Sequence, residues 1–371
     1  MSTEPGYRAD QLVGFTIGVT ADRRAEDQIA ALARRGAEVL HAPTLRIQPT
    51  EEDDRLVADT RAVLASRPDF VLATTSYGFR GWLEAADAAG LGPALHDVLA
   101  QSVVLVRGPK ARGAVRAAGL TEAGSGSDET TASLVDAAIE RGVADATVLV
   151  QLHGYVDQDQ LDRLIAAGAR VLTVAPYRWT PPPDEREVVR LIEAVCGRQV
   201  DAVTFTSAPA AQALIEAAER EGRKEDLLTA LGFDVLAVAV GPVTAQPLLD
   251  AGLDPIHPDR FRLGALIRTV CEELESRVLR ADTAAGPVEL RGRLAVFGDR
   301  SVLLPPASAL ILRELIKAQG TVVPKDVLRG VLPGGNDDHA LEVAVGRLRS
   351  SIAVPGVVTT VVRRGYRLDP G

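Results

Sequence analysis

Hydrophobic positions in this chain recur with two alternating periods. The run Gly14–Thr20, GFTIGVT, is apolar and β-rich, whereas Arg23–Arg35 sets Ile29, Leu32 and Ala33 on one helical face before Gly36 closes the helix. The alternation continues as strand Val39–His41, helix Glu52–Ser66, strand Phe70–Thr74, helix Tyr77–Ala89, strand Val103–Val106 and helix Ala111–Ala118. Short apolar strands separated by helices predict parallel sheets covered by helices.

The text then returns. GAEVLHAPTLRIQPT (36–50) is answered by GARVLTVAPYRWTPPP (168–183), with Gln28 and Gln160, Leu32 and Leu164, Arg46 and Arg178, and Asp69 and Asp201 all 132 apart. Gly108 meets Gly241 after a slip to 133, so two copies tile residues 14 to about 270. Solenoid repeats run at roughly 20 to 50 residues, so this period indicates two similar α/β domains. Pro43–Pro49 and Pro176–Pro183 occupy equivalent places and are flanked by prolines, which suit edges and connectors. They are expected as two antiparallel connectors between lobes.

Beyond the second copy the pattern changes. Arg277–Pro287 is small and polar without periodicity and reads as a linker. VELRGRLAVFGDRSVLLPP alternates toward an antiparallel sheet, and helices follow at Ala307–Ala318, Lys325–Val331 and His339–Ile352. In the last, Leu341, Val345, Leu348 and Ile352 form a core stripe, with His339, Val343, Gly346, Arg347 and Ser350 facing away. Val357–Leu368 reads as a hairpin with Arg363 and Arg364 at its tip.

Charge sharpens that division. Residues 288–371 carry twelve Lys and Arg against eight Asp and Glu, a net +4, whereas residues 1–287 carry −13. A basic tail on an acidic body suggests a polyanion-binding module. Cys196 and Cys271 match no metal spacing and suit a reduced, cytoplasmic setting. No apolar run reaches the roughly 18 residues of a membrane helix, and the N-terminus lacks an export pattern. His153 follows a strand but has no second ligand near it, and GSGSDET (124–130) reads either as an anion cradle or as a turn with Ser127 or Asp128 as N-cap.

Across residues 14 to about 275 the order of elements and motifs resembles the uroporphyrinogen-III synthase family. The matching residues are Ser76 in ATTSYG, Gly154 in LHGYVD, Tyr177 in PYRWT, Ser207 in FTSAPA, and Gly241 and Thr244 in VGPVTAQPL. The resemblance implies two α/β lobes, one discontinuous, joined by a two-stranded ladder, with a linear tetrapyrrole closed between them. It implies catalytic roles for Tyr177 and Thr244, and ligand contacts at Ser76, Gly154, Ser207 and Gly241. Ser76 and Ser207 read equally as helix caps. The chain departs from the family at RGPKAR, where Arg107, Lys110 and Arg112 add positive charge beside the expected cleft, and at VDQDQ, which is acidic.

Residues 288–369 resemble the winged-helix effector domain of response regulators, on GRLRSSI and TTVVRRGYRL. That resemblance implies DNA contacts from Arg347 and Arg349 on the third helix and from Arg363 and Arg364 on the wing. Ser350 and Ser351 replace the usual basic residues, and Arg363 stands where glycine is common.

The expected fold is α/β: two pseudo-repeated lobes with parallel sheets, a two-stranded linker and a small α+β winged helix. The expected boundaries are a bilobal domain over 10–277 (lobe 1 at 10–44 and 178–277, lobe 2 at 45–177), a linker at 278–287 and a winged helix at 288–371. The domain order resembles regulators of nitrate and nitrite assimilation, whose target enzymes need siroheme. The expected function is a transcriptional regulator acting on promoter DNA, without a cofactor or metal. Its bilobal part would take a tetrapyrrole-like or other small anion, or a second regulator protein. The alternatives are an active uroporphyrinogen-III synthase with a DNA-binding tail, and an interaction platform with an empty cleft.

Overall fold

The short apolar runs become strands, the Val-rich VVLV and TVLVQ and equally FVLA and LAVA. In a computed structural model, which describes residues 8–49, 54–154, 156–332 and 338–370, the first five strands are β1 Thr16–Val19, β2 Glu38–His41, β3 Arg46–Pro49, β4 Phe70–Ala73 and β5 Val103–Val106. There follow β6 Glu122–Ser125, β7 Thr147–Gln151, β8 Arg170–Val174, β9 Tyr177–Thr180, β10 Ala202–Phe205 and β11 Leu236–Ala239. The last six are β12 Leu279–Thr283, β13 Gly286–Arg291, β14 Leu294–Phe297, β15 Arg300–Leu303, β16 Val358–Val361 and β17 Gly365–Leu368. The start of the helix expected at Glu52 lies outside the described residues; from Asp54 it runs to Ser66. The helices Gly92–Gln101 and Thr131–Ile139 and strand β6 were not anticipated. None of the described helices is long and apolar enough to cross a membrane.

The chain divides into two compact units, Met1–Leu45 with Pro181–Gly371, and Arg46–Thr180. The first contains a parallel sheet in the order β11-β10-β1-β2, and the second a parallel sheet in the order β6-β5-β4-β7-β8. The two orders are the same, because β4 and β5 in one are the repeat counterparts of β10 and β11 in the other. In place of β6 the first sheet has a single parallel bridge, Val238 to Ile256. Each sheet therefore combines strands of both copies, two and two in the first and three and two in the second. The exchange occurs where the chain leaves and returns, at β3 and β9, which pair antiparallel from Arg46–Thr180 to Pro49–Tyr177.

The duplication extends to single hydrogen bonds. The Asp69 carboxylate accepts from the Thr147 N–H at 2.8 Å at the foot of β7, and the Asp201 carboxylate accepts from the Thr16 N–H at 2.8 Å at the foot of β1.

The C-terminal part of the first unit is an antiparallel sheet, β12-β13-β14-β15, then helices Pro306–Lys317, Lys325–Gly330 and Asp338–Ile352, then the hairpin β16–β17. Its core includes Leu290, Ile311, Leu315, Leu341, Val345, Leu348, Ile352 and Tyr366. The segment expected as a linker at 278–287 holds β12 and the turn into β13. Ala281 and Thr283 point inward at every second position, and their small size hid the strand period in the sequence.

β12 begins three residues after helix Leu263–Ser276 ends, so the domain is seated directly on the first sheet's unit. Arg291 fastens it: Nε donates to the Val13 carbonyl at 2.9 Å, a terminal nitrogen to the Gln11 carbonyl at 2.8 Å, and the guanidinium lies 5.8 Å from the Phe15 ring centre. Gly14, at φ +89°, could carry no side chain here, since a Cβ would come within 2.7 Å of Leu294 Cβ and 2.8 Å of the Arg291 carbonyl oxygen.

Candidate functional site

Three places hold the residues singled out by sequence, two in the α/β units and one in the C-terminal domain.

In the Arg46–Thr180 unit the segments that follow β4 and β7 meet the ladder strand β9. Tyr177, 4 % exposed, sits with its ring 5.2 Å from Tyr77 and 6.1 Å from Trp179, its hydroxyl 3.5 Å from Thr75 Oγ1. Two glycines make that seat. A Cβ at Gly78 would lie 2.9 Å from Tyr177 Cε1, and one at Gly154, φ +95°, would lie 2.3 Å from Trp179. Buried Gln151 fixes the floor, accepting from Thr74 N and Thr75 N at 3.2 Å each and donating to Thr75 Oγ1 and the Leu152 carbonyl.

Ser76 is the first residue of its helix; the cap is Thr75, whose Oγ1 accepts from Gly78 N at 3.2 Å. Ser207 does cap its helix, accepting from Ala210 N at 3.4 Å. Nearby, burial and the Arg107 charge hold the His153 imidazole down to about 3, so it is neutral. No group of three or more His, Cys, Asp and Glu among the described residues is placed to hold a metal ion.

The basic loop RGPKAR is less available than its composition implies. Arg112 turns away to β6, where it lies 3.2 Å from Glu122 and donates to Ser125 Oγ at 3.0 Å; Lys110 remains exposed. Its helix, Pro109–Ala117, begins beneath an acid: a Cβ on Gly108 would lie 2.9 Å from Glu129 Cγ and 3.2 Å from a carboxylate oxygen. Glu129 of GSGSDET thus lies against the N-cap glycine of this helix, while Asp128 accepts from Thr130 N and Oγ1. The Thr130 side chain is the N-cap of the next helix, in place of Ser127 or Asp128.

The equivalent helix of the other unit, Pro242–Asp250, has an aromatic ring against its N-cap glycine. A Cβ on Gly241 would lie 2.8 Å from the Phe261 ring. Thr244 in its first turn is buried, and Val243 is the exposed neighbour. Glu129 and Phe261 were missed in the sequence because each acts on a glycine about twenty residues away with no motif linking them.

In the C-terminal domain Arg347 is exposed on helix Asp338–Ile352, opposite the stripe of Leu341, Val345, Leu348 and Ile352. Arg363, at φ +61°, and Arg364 are exposed at the tip of β16–β17. Arg349, expected on the DNA face, is turned to the hairpin instead. Its Nε donates to the Val358 carbonyl at 2.9 Å, a terminal nitrogen donates to Thr360 Oγ1 at 2.8 Å, and its guanidinium lies 5.8 Å from the Tyr366 ring centre. It spans the helix and the hairpin.

The chain is similar to a uroporphyrinogen III synthase structure from Thermus thermophilus, 31 % identical over 71 % of this chain and 99 % of that one, with TM-score 0.62. It is 28 % identical over 270 residues, 72 % of this chain and 98 % of the other, to the Bacillus subtilis "Uncharacterized protein YjjA". Over 25 % of this chain and 98 % of the other it is similar to the Klebsiella pneumoniae RstA DNA-binding domain in complex with RstA box, at 24 % identity and TM-score 0.22. Residues 26–268 match the family model for uroporphyrinogen-III synthase HemD, and with the duplicated sheets and the β3–β9 crossing in place, the chain belongs to that family.

Proposed function

We propose that this chain is a cytoplasmic DNA-binding transcriptional regulator whose synthase-type domain serves as a ligand-sensing or partner-binding module. One observation carries the reading: a small domain presents Arg347 on the exposed face of one helix, and Arg363 and Arg364 on the adjoining wing tip. A helix fits the B-DNA major groove, about 12 Å wide, and arginine pairs there with guanine; wing arginines grip phosphate or the minor groove. The domain's net +4 favours the same partner. The order of domains favours nitrate and nitrite assimilation genes as targets.

Glu129 and Phe261 favour this reading over that of a working synthase. A polycarboxylate tetrapyrrole would draw on open helix N-termini, and here the Glu129 side chain lies against the N-cap glycine of one helix and the Phe261 ring against that of the other. The active-synthase reading rests on the seated phenol of Tyr177.

Two measurements test the proposal. DNA selected from a random pool by the full chain is titrated by fluorescence anisotropy. Arg347→Ala costs about 1–3 kcal/mol of affinity if the side chain reads a guanine; unchanged affinity in the triple alanine variant of Arg347, Arg363 and Arg364 rejects DNA recognition by this domain. Ring closure of hydroxymethylbilane is assayed beside a working synthase, and equal turnover would establish the enzyme instead.

A further inference from the structure

Where the C-terminal domain meets the first sheet's unit there is a cavity of about 330 Å³, at the small end of the roughly 300–1,000 Å³ typical of ligand pockets. One wall belongs to the α/β fold, with Asp201, Phe233, Asp234 and Arg277; the other belongs to the C-terminal domain, with Arg313 and Lys317 on helix Pro306–Lys317.

Its carboxylates are already engaged. Asp234 is held by Arg198 at 3.0 Å, and Asp201 accepts from the Thr16 N–H. Its guanidiniums are served less well. Arg313 approaches Asp234 only to 3.8 Å, beyond hydrogen-bond length, and Arg277 donates to a carbonyl, that of Asp234, at 3.3 Å. Arg277 is also held below the usual arginine range, by burial and then by the Arg313 charge beside it, against which Glu273, Asp201 and Asp234 act. Two guanidiniums that repel across one cavity are relieved by an anion between them. At the rim the Phe233 ring is 82 % exposed, an unusual position for a large apolar side chain, and offers a flat face to whatever enters.

We infer that this cavity is a binding site for a small aromatic carboxylate, with its carboxylate between Arg277 and Arg313 and its ring against Phe233. Such a ligand touches both walls and so ties the C-terminal domain to the α/β fold. The site is separate from the strand-end residues of the synthase family. It does not rest on the regulatory reading, because binding is read without DNA.

The probe is benzoate, titrated into the full chain by calorimetry. Benzamide, acetate and benzamidine are the neutral, ringless and cationic controls. Benzoate binds saturably with a Kd of about 1 mM or tighter, and each control binds at least about tenfold more weakly. Arg313→Gln weakens benzoate about tenfold or more. Phe233→Ala, a change at an exposed rim that leaves the melting temperature in place, weakens it several-fold and keeps the test decisive if the arginine variant fails to fold. No saturable benzoate binding, equal binding of benzamide or benzamidine, or wild-type affinity in Phe233→Ala overturns the assignment.

Discussion

Asp201→Asn is expected to stabilise the protein at neutral and alkaline pH, though it removes a carboxylate that accepts a backbone hydrogen bond. The C-terminal domain lies over this group: a Cβ on Gly292 would come within 2.7 Å of Asp201 Oδ1. Burial lifts its pKa from 3.8 to about 6, with the Thr16 N–H and the Arg313, Arg293 and Arg277 charges opposing the rise. Because the folded value lies above the unfolded one, the folded chain keeps a proton that the unfolded chain gives up. Ionised Asp201 therefore weakens folding progressively as pH rises from about 4 through 6, and the penalty is constant above that. The displacement corresponds to about 3 kcal/mol at most. Asn keeps an acceptor for Thr16 N and avoids the buried charge, but its amide oxygen is a weaker acceptor than a carboxylate; the pull of the three arginines is already contained in the value of about 6. The expected gain is about 1–2 kcal/mol at pH 8, fading to nothing near pH 4. Asp69 supplies the control, since it makes the same bond to Thr147 N at 2.8 Å while exposed; Asp69→Asn should lose up to about 1 kcal/mol. Urea melts of the full chain from pH 4 to 8 give the comparison. A loss in Asp201→Asn at pH 8 matching that in Asp69→Asn, or a gain independent of pH, refutes the reasoning.

Arg349→Ala should lower the stability of the C-terminal domain by about 1–3 kcal/mol through loss of its bonds to Val358 and Thr360, while Arg347→Ala leaves the melting temperature unchanged; calorimetry separates the two. Arg363→Gly should raise stability by about 1 kcal/mol, because φ +61° strains a non-glycine residue, and weaken DNA binding in the same protein. Gly154→Ala places a methyl group 2.3 Å from Trp179 at φ +95° and should cost about 2 kcal/mol or more, read by thermal melting.

The α/β alternation and the duplication were legible because each rests on local period and on repeated text. Leu341, Val345, Leu348 and Ile352 fell on the core face as their spacing required. What was not legible is non-local. Arg349 follows Leu348 and looks exposed by helical phase, yet its long side chain reaches back to β16. The β12 strand escaped because Ala281 and Thr283 give a weak apolar signal, and Arg112 because its partner Glu122 lies in a strand the sequence did not predict. Arg363 holds the tip of β16–β17 in a left-handed conformation that glycine adopts without strain, and does so at a cost.

The exchange of strands between copies also sets an order of events during synthesis. The second sheet is complete within one contiguous run, whereas β1 and β2 wait for β10 and β11, made some 160 to 220 residues later. At about 5–20 residues per second that is a delay of roughly ten to forty seconds. Throughout the first part of it β4 has no β7 to pair with, and the strand already on hand with the matching pattern is β1, the repeat counterpart of β7. The nascent chain therefore carries a competitor for its own second sheet, a one-copy fold that would close β1 onto β4. The proline-flanked stretch from Pro43 to Pro49 is where the two outcomes part, so changes there should show first in folding yield rather than in the stability of the finished protein.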